Sequence, residues 1–269
     1  MTARLHHTAE GPPGAPVLLL GPSLGTSLRV WDGQTAVLAR RHRVVRWDLP
    51  GHGGTPAGVL PDPVPGATTV ADLAALVLEL ADHLGAARFA YAGISLGGAV
   101  GAHLAAHHPE RVTALALLCT SARFGEPGGW RERAALVRAR GTGALVPTAP
   151  DRWFTPAFRT GPAAGAAAGL LDDLRTADPA GYAACCDALA GHDLRAALAR
   201  ITAPTLVVAG RADRATPPAH ARELADGIPG ATLLELAGAA HLAPVEQPRA
   251  VRTALHAHFT APRAAAPIR

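Results

Sequence analysis

The stretch 89–98 constrains this chain more than any other. Phe89-Ala90-Tyr91-Ala92 is a short apolar run of strand length, Gly93-Ile94-Ser95-Leu96-Gly97 follows, and a helix begins after it. A serine at this spacing sits on a turn too sharp for bulky side chains two before and two after it, and Gly93 and Gly97 meet that need. The turn lifts the hydroxyl clear of a sheet edge. It also puts the amide of Leu96 at a helix N-terminus, where N–H groups lack helical partners. The alternative for Ser95 is a simple helix N-cap.

Such a unit belongs in a parallel sheet, and the rest of the chain supplies one. Candidate strands lie at 3–9, 16–21, 42–48, 88–93, 113–119, 204–210 and 231–236, with helical stretches such as 69–84 and 97–107 between them. That alternation predicts α/β architecture with a mostly parallel central sheet flanked by helices. Val17-Leu18-Leu19-Leu20 has no polar alternation, so both its faces should be covered. In 69–84, Leu73, Leu76, Val77 and Leu80 form one buried stripe, and Thr68 or Thr69 can cap its start. From 121 to 200 the pattern is helical, broken by Pro and Gly, with no convincing strand. This predicts a core of 1–120 and 201–269 with a helical cap, 121–200, inserted at the carboxyl edge where ligands sit.

A serine hydroxyl needs a base, and the base needs a carboxylate to hold its tautomer. In a sheet of this kind the partners follow in the order acid, then histidine. Asp213 stands just past the strand 204–210, and His241 follows the strand 231–236, on a loop at the same edge. Each could alone be an ordinary loop residue among 13 histidines and 21 acids, but together they fall in register. Asp226 and Glu235 compete for the acid's place, one within a helix and the other within a strand. The second oxyanion donor should come from the loop after the strand ending at Gly21. Pro22 has no N–H, so the amide of Ser23 is the choice and that of Leu24 the alternate.

Other features carry less. The formal charge of +4 comes from scattered arginines, which argues against a nucleic-acid face and suits a small anionic substrate. No run approaches the length of a membrane helix, and 1–11 has no signal-peptide core. Cys119, Cys185 and Cys186 form no paired framework, which fits a cytoplasmic protein; the vicinal pair reads as packing. His6-His7 and His107-His108 have no ligand partners at metal spacing, so no metal is expected. Asp48-Leu49-Pro50-Gly51-His52-Gly53 reads as a tight loop under the pocket rather than a second acid and base.

At this point the chain is identified by resemblance. It is similar to the β-ketoadipate enol-lactone hydrolases (3-oxoadipate enol-lactonases) of the α/β-hydrolase superfamily, from bacterial aromatic catabolism. The shared segments are GPSLGTSLRVW at 21–31, RWDLPGHGGT at 46–55, GISLGGAVGAHLAAHHPERV at 93–112, RWFT at 152–155, GYAACCDALAGHDLR at 181–195, PTLVVAGRAD at 204–213 and HLAPVEQP at 241–248. Pro22 departs from the pattern, where a smaller or polar residue is usual. The resemblance implies the α/β-hydrolase fold and hydrolysis of 4-oxoadipate enol-lactone to 3-oxoadipate, which is the same acid numbered from its other end. No cofactor is implied. It also aligns a Trp and an Arg with Trp130 and Arg133 and, through RWFT, marks Trp153 as a substrate contact.

The helical wheel agrees, since Trp130, Arg133, Ala134 and Val137 share a face while Arg131 points elsewhere. Arg133 is thus expected to clamp the carboxylate that the reaction leaves untouched, with Trp130 walling the ring. The alternative is that it reaches solvent or pairs with an acid. The rival functions are another hydrolase of the same fold (carboxylesterase, perhydrolase or carbon–carbon bond hydrolase) and a silent ligand-binding protein.

Overall fold

The computed structural model describes residues 4–60 and 64–261. Strands β1 (His7–Glu10), β2 (Val17–Gly21), β3 (Arg43–Trp47), β4 (Phe89–Ile94), β5 (Val112–Leu118), β6 (Thr205–Gly210) and β7 (Thr232–Leu236) form one seven-stranded sheet in the order β1-β3-β2-β4-β5-β6-β7. Only β1 runs antiparallel, on β3. The first strand begins later than the predicted 3–9, of which residue 3 lies outside the described residues; the other six match within a residue or two.

Leu18, Leu19 and Leu20 are fully buried, because helices cover both faces of the parallel sheet. The flanking helices are α1 (Asp32–Leu38), α2 (Val70–His83), α3 (Leu96–His107), α9 (Pro218–Gly227) and α11 (Pro248–Thr260), with a short α10 (Ala243–Glu246) ahead of the last. Helix α2 buries the predicted stripe, and Thr69 caps it in a reciprocal box with Asp72.

Between β5 and β6 the chain is helical: α4 (Pro127–Arg140), α5 (Ala149–Trp153), α6 (Pro156–Thr160), α7 (Ala166–Thr176) and α8 (Pro179–Ala190). Proline stands in the first turn of α4, α5, α6 and α8, where the missing N–H costs nothing. Helix α8 rests on the Pro50–Gly51 turn. The Asp178 N–H donates to the Gly51 carbonyl at 2.7 Å, and a Cβ on Gly181 would come within 2.6 Å of the Pro50 carbonyl. The vicinal Cys185 and Cys186 are buried within α8, and burial raises both thiols, Cys186 to about 12. Among the described residues no helix is long and apolar enough to cross a membrane.

Successive strands spread from the β2–β4 pair in opposite directions, β3 to one side and β5 to β7 to the other. A crevice therefore opens at the carboxyl ends of β2 and β4, where Gly21 pairs with Gly93.

Candidate active site

Ser95 occupies that crevice at the junction of β4 and α3. Its backbone has φ 54 and ψ −119, a sparsely populated region for any residue but glycine. The turn is held from both sides, since Ser95 N–H donates to Leu118 O at 3.0 Å and the Thr120 hydroxyl to Ser95 O at 2.6 Å. A Cβ on Gly93 would strike the Gly97 carbonyl, and one on Gly97 would strike the Gly21 carbonyl and lie 2.6 Å from that of Pro22. The Gly97 N–H donates to that same Pro22 oxygen at 3.0 Å, locking the loop after β2 against the elbow. Gly97→Ala is therefore expected to lower the unfolding free energy by about 1–3 kcal/mol, the range for overpacking a close contact. A urea midpoint equal to the parent's would refute this. Ser95 stands at the N-cap position of α3, but its side chain makes no capping bond.

The loops leaving β6 and β7 are joined, with Ala212 N–H donating to Ala239 O at 2.9 Å and Arg211 N–H to Leu236 O at 3.0 Å. That junction brings Asp213 to His241, Oδ2 to Nδ1 at 2.9 Å, with both side chains buried. The carboxylate is saturated with donors: Oδ1 accepts the amides of Ala215 and Thr216 at 2.8 and 2.9 Å, and Oδ2 the Thr216 hydroxyl at 2.8 Å. Burial alone would raise this carboxyl, but the charge and hydrogen bond of His241, with the bonds from Thr216, outweigh it and hold the group below its ordinary value. A carboxylate at Nδ1 puts the imidazole proton there and leaves Nε2 as the lone pair. Asp226 lies in α9, and Glu235 pairs with Arg222 at 2.7 Å, so neither reaches the histidine.

Ser23 lines the pocket beside Ser95 and His241. Among the described residues no hydrogen bond takes the Ser23 amide. Leu96 is the first residue of α3, so its amide has no intrahelical partner. The Ser23 loop is braced by the Asp48–His52 segment. His52 accepts the Gly25 N–H on Nε2 at 3.1 Å and donates from Nδ1 to Pro50 O at 2.9 Å. Burial pushes its pKa below the ordinary imidazole value, keeping that neutral tautomer. Asp48 accepts the Leu28 N–H at 2.7 Å and the Gly54 N–H at 2.9 Å, and sits 2.7 Å from the imidazole of His6. Both side chains thus support the loop, and neither lines the pocket.

The helical insertion forms the opposite wall of the cleft. Trp130 is held by its indole N–H on Phe124 O at 2.6 Å. The Arg133 guanidinium lies over that indole, 5.4 Å from the ring centre, and reaches the Tyr182 hydroxyl at 3.4 Å. Arg131 is exposed. Trp153 lines the same wall.

Two further residues were not singled out from the sequence. Arg152 also lines the cleft, and burial, then the charge of Arg133, lower its pKa. Among the described residues neither Arg133 nor Arg152 forms an ion pair, although eleven other arginines do. The second is Glu246, whose buried carboxylate binds the histidine loop. Among the described residues no group of three or more His, Cys, Asp or Glu side chains could hold a metal ion.

Comparison with known proteins gives the family. The family described as alpha/beta hydrolase fold matches residues 16–248. The 3-oxoadipate enol-lactonase 2 of Acinetobacter baylyi is 37% identical over 253 residues, spanning 94% of this chain and 92% of that one. The crystal structure of the enol-lactonase from Burkholderia xenovorans LB400 superposes with a TM-score of 0.89 at 37% identity, covering 96% of each chain. A RutD protein of Variovorax paradoxus, named for carbamate hydrolysis, is 33% identical over 234 residues, 85% of this chain and 86% of that one. The chain belongs to the α/β-hydrolase family and, within it, is similar to enol-lactonases over nearly its whole length.

Proposed function

We propose that this protein is a serine hydrolase that opens an anionic enol-lactone, converting oxoadipate enol-lactone and water to 3-oxoadipate. The observation that carries the reading is a pair of arginines, in no ion pair among the described residues, facing the cleft that holds Ser95 and His241. Cations confined with each other are costly unless an anion joins them, and Arg presents a planar fork suited to a carboxylate. The similarity to two enol-lactonases supports the choice of lactone.

In this mechanism Ser95 Oγ attacks the lactone carbonyl while His241 Nε2 takes its proton. The amides of Ser23 and Leu96 hold the oxyanion. Collapse breaks the ring C–O bond, and the imidazolium returns the proton to the departing enolate. The enolate delocalises its charge and so leaves more readily than a simple alkoxide, and the enol then relaxes to a ketone. Water, deprotonated by His241, next attacks the acyl-serine and releases the new carboxylate. Asp213 keeps Nδ1 protonated and stabilises the imidazolium. Arg133 clamps the spectator carboxylate, Trp130 and Trp153 wall the ring, and the insertion 121–200 acts as the cap over the site. No metal or organic cofactor takes part, and the unpaired thiols suit a cytoplasmic enzyme.

Arg133→Met separates this reading from a general esterase. It is expected to lower kcat/KM for the enol-lactone by about 2–3 kcal/mol, the scale of a charge-assisted contact. An uncharged ester of similar size should be nearly unaffected. Equal loss on both substrates, or on neither, would count against the clamp.

A further inference from the structure

Glu246 lies outside the cleft, yet it bonds to chain segments that carry residues of two of its walls. The residue is only 8% exposed and, among the described residues, its carboxylate forms no ion pair. Oε2 accepts the N–H of Ala240, the residue before His241, at 2.8 Å. Oε1 accepts the N–H of Thr155 at 3.0 Å and also the Thr155 hydroxyl. On the other side of the histidine, the Leu242 N–H donates to Trp153 O at 3.0 Å. Both peptide neighbours of His241 are thus tied to the segment 153–155, one through Glu246 and one directly. The same segment follows Arg152 and includes Trp153, which line the cleft.

A buried carboxylate costs free energy unless donors satisfy it, and here the donors come from elements 91 and 6 residues away in the chain. Simple filling of the space would not need a charged group. A group that accepts on both oxygens from two separate segments fixes the distance between them.

We propose that Glu246 is a positioning residue that locks the histidine loop to the base of the helical insertion, so that His241 and the arginine-bearing wall are held in one fixed relation. The proposal rests on the reading of His241 as the base. Displacing a reacting group by about 1 Å can cost a hundredfold in rate, so such a lock acts on turnover without touching substrate.

Glu246→Gln in the full-length protein tests it. Glutamine offers one acceptor and one donor, so either the Ala240 or the Thr155 N–H must face an N–H in place of an oxygen. With p-nitrophenyl acetate, kcat per fluorophosphonate-titrated site is expected to fall roughly 10- to 100-fold, with KM within about twofold. The low-field proton resonance of His241 Nδ1–H should broaden or vanish while circular dichroism reports a folded chain. A parent-like kcat per titrated site with the resonance in place would overturn the proposal, whatever the change in Tm, because Glu246 would then serve stability alone.

Should the glutamine variant fail to fold, Thr155→Val removes the hydroxyl contact to Glu246, along with the hydroxyl's cap on the Phe158 N–H, and leaves the Glu246 carboxylate itself in place. It is expected to lower kcat several-fold with the same spectral change, and unchanged values overturn the proposal. Failure of the base reading looks different: His241→Gln would keep parent turnover.

Discussion

Ser95→Ala is expected to lower turnover by about 10⁴- to 10⁶-fold, the usual cost of removing the nucleophile from a triad that acts as a unit. The side chain is small, makes no capping bond, and lines the cleft beside the imidazole. Its removal leaves the hydrogen bonds of the elbow intact, because these run through the Ser95 backbone to Leu118 and from Thr120. Alanine keeps the serine's strained φ, so the unfolding midpoint should stay close to the parent's. Steady-state hydrolysis together with fluorophosphonate labelling checks both halves. Activity within tenfold of the parent would remove Ser95 from the role assigned to it.

Asp213→Asn should cost about 10⁴ in turnover, for a reason specific to this site. Oδ1 accepts two backbone amides, so the asparagine must place its carbonyl oxygen there. The new NH₂ then points at His241 Nδ1, where Oδ2 had been, and forces the proton onto Nε2. An imidazole in that tautomer cannot take the serine proton. Asp226→Asn, measured alongside, should be silent; near-normal Asp213→Asn with a damaged Asp226→Asn would transfer the role. The same carboxylate also contributes stability. Its folded pKa lies below the ordinary value, so the contribution is present above that value and disappears as pH falls through the lowered one. The gap in urea midpoint between parent and Asp213→Asn should therefore be full at neutral pH and shrink below about pH 4.

Much of this site is legible in the sequence, because its demands are local. The elbow needs small residues at two fixed offsets from the serine, and the chain shows them as Gly93 and Gly97. Asp213 and His241 are legible because a parallel sheet delivers every strand's carboxyl end to one edge, so position past a strand is nearly position in space. Arg133 is legible from helical phase, since the indole beside it marks the inward face of α4.

What escapes is set by contacts that no spacing encodes. Arg152 lies in a five-residue helix, too short for its spacing to mark an inward face. The acceptor role of His52 depends on an amide 27 residues away, and that of Glu246 on one 91 residues away. The start of β1 is blurred because a short antiparallel edge strand, with one side open to water, carries little of the apolar signal that marks β2.

On the proposed reading, Arg133 and Arg152, in no ion pair among the described residues, make an ordinary serine site selective for an anionic enol-lactone. The direct measurement is kcat/KM for oxoadipate enol-lactone against a neutral p-nitrophenyl ester and a small carbamate, each corrected for its uncatalysed rate. The enol-lactone should lead by roughly 10²-fold, the equivalent of one charge-assisted carboxylate contact. A neutral ester turned over as well as the lactone, or a carbamate preferred to it, would contradict the claim.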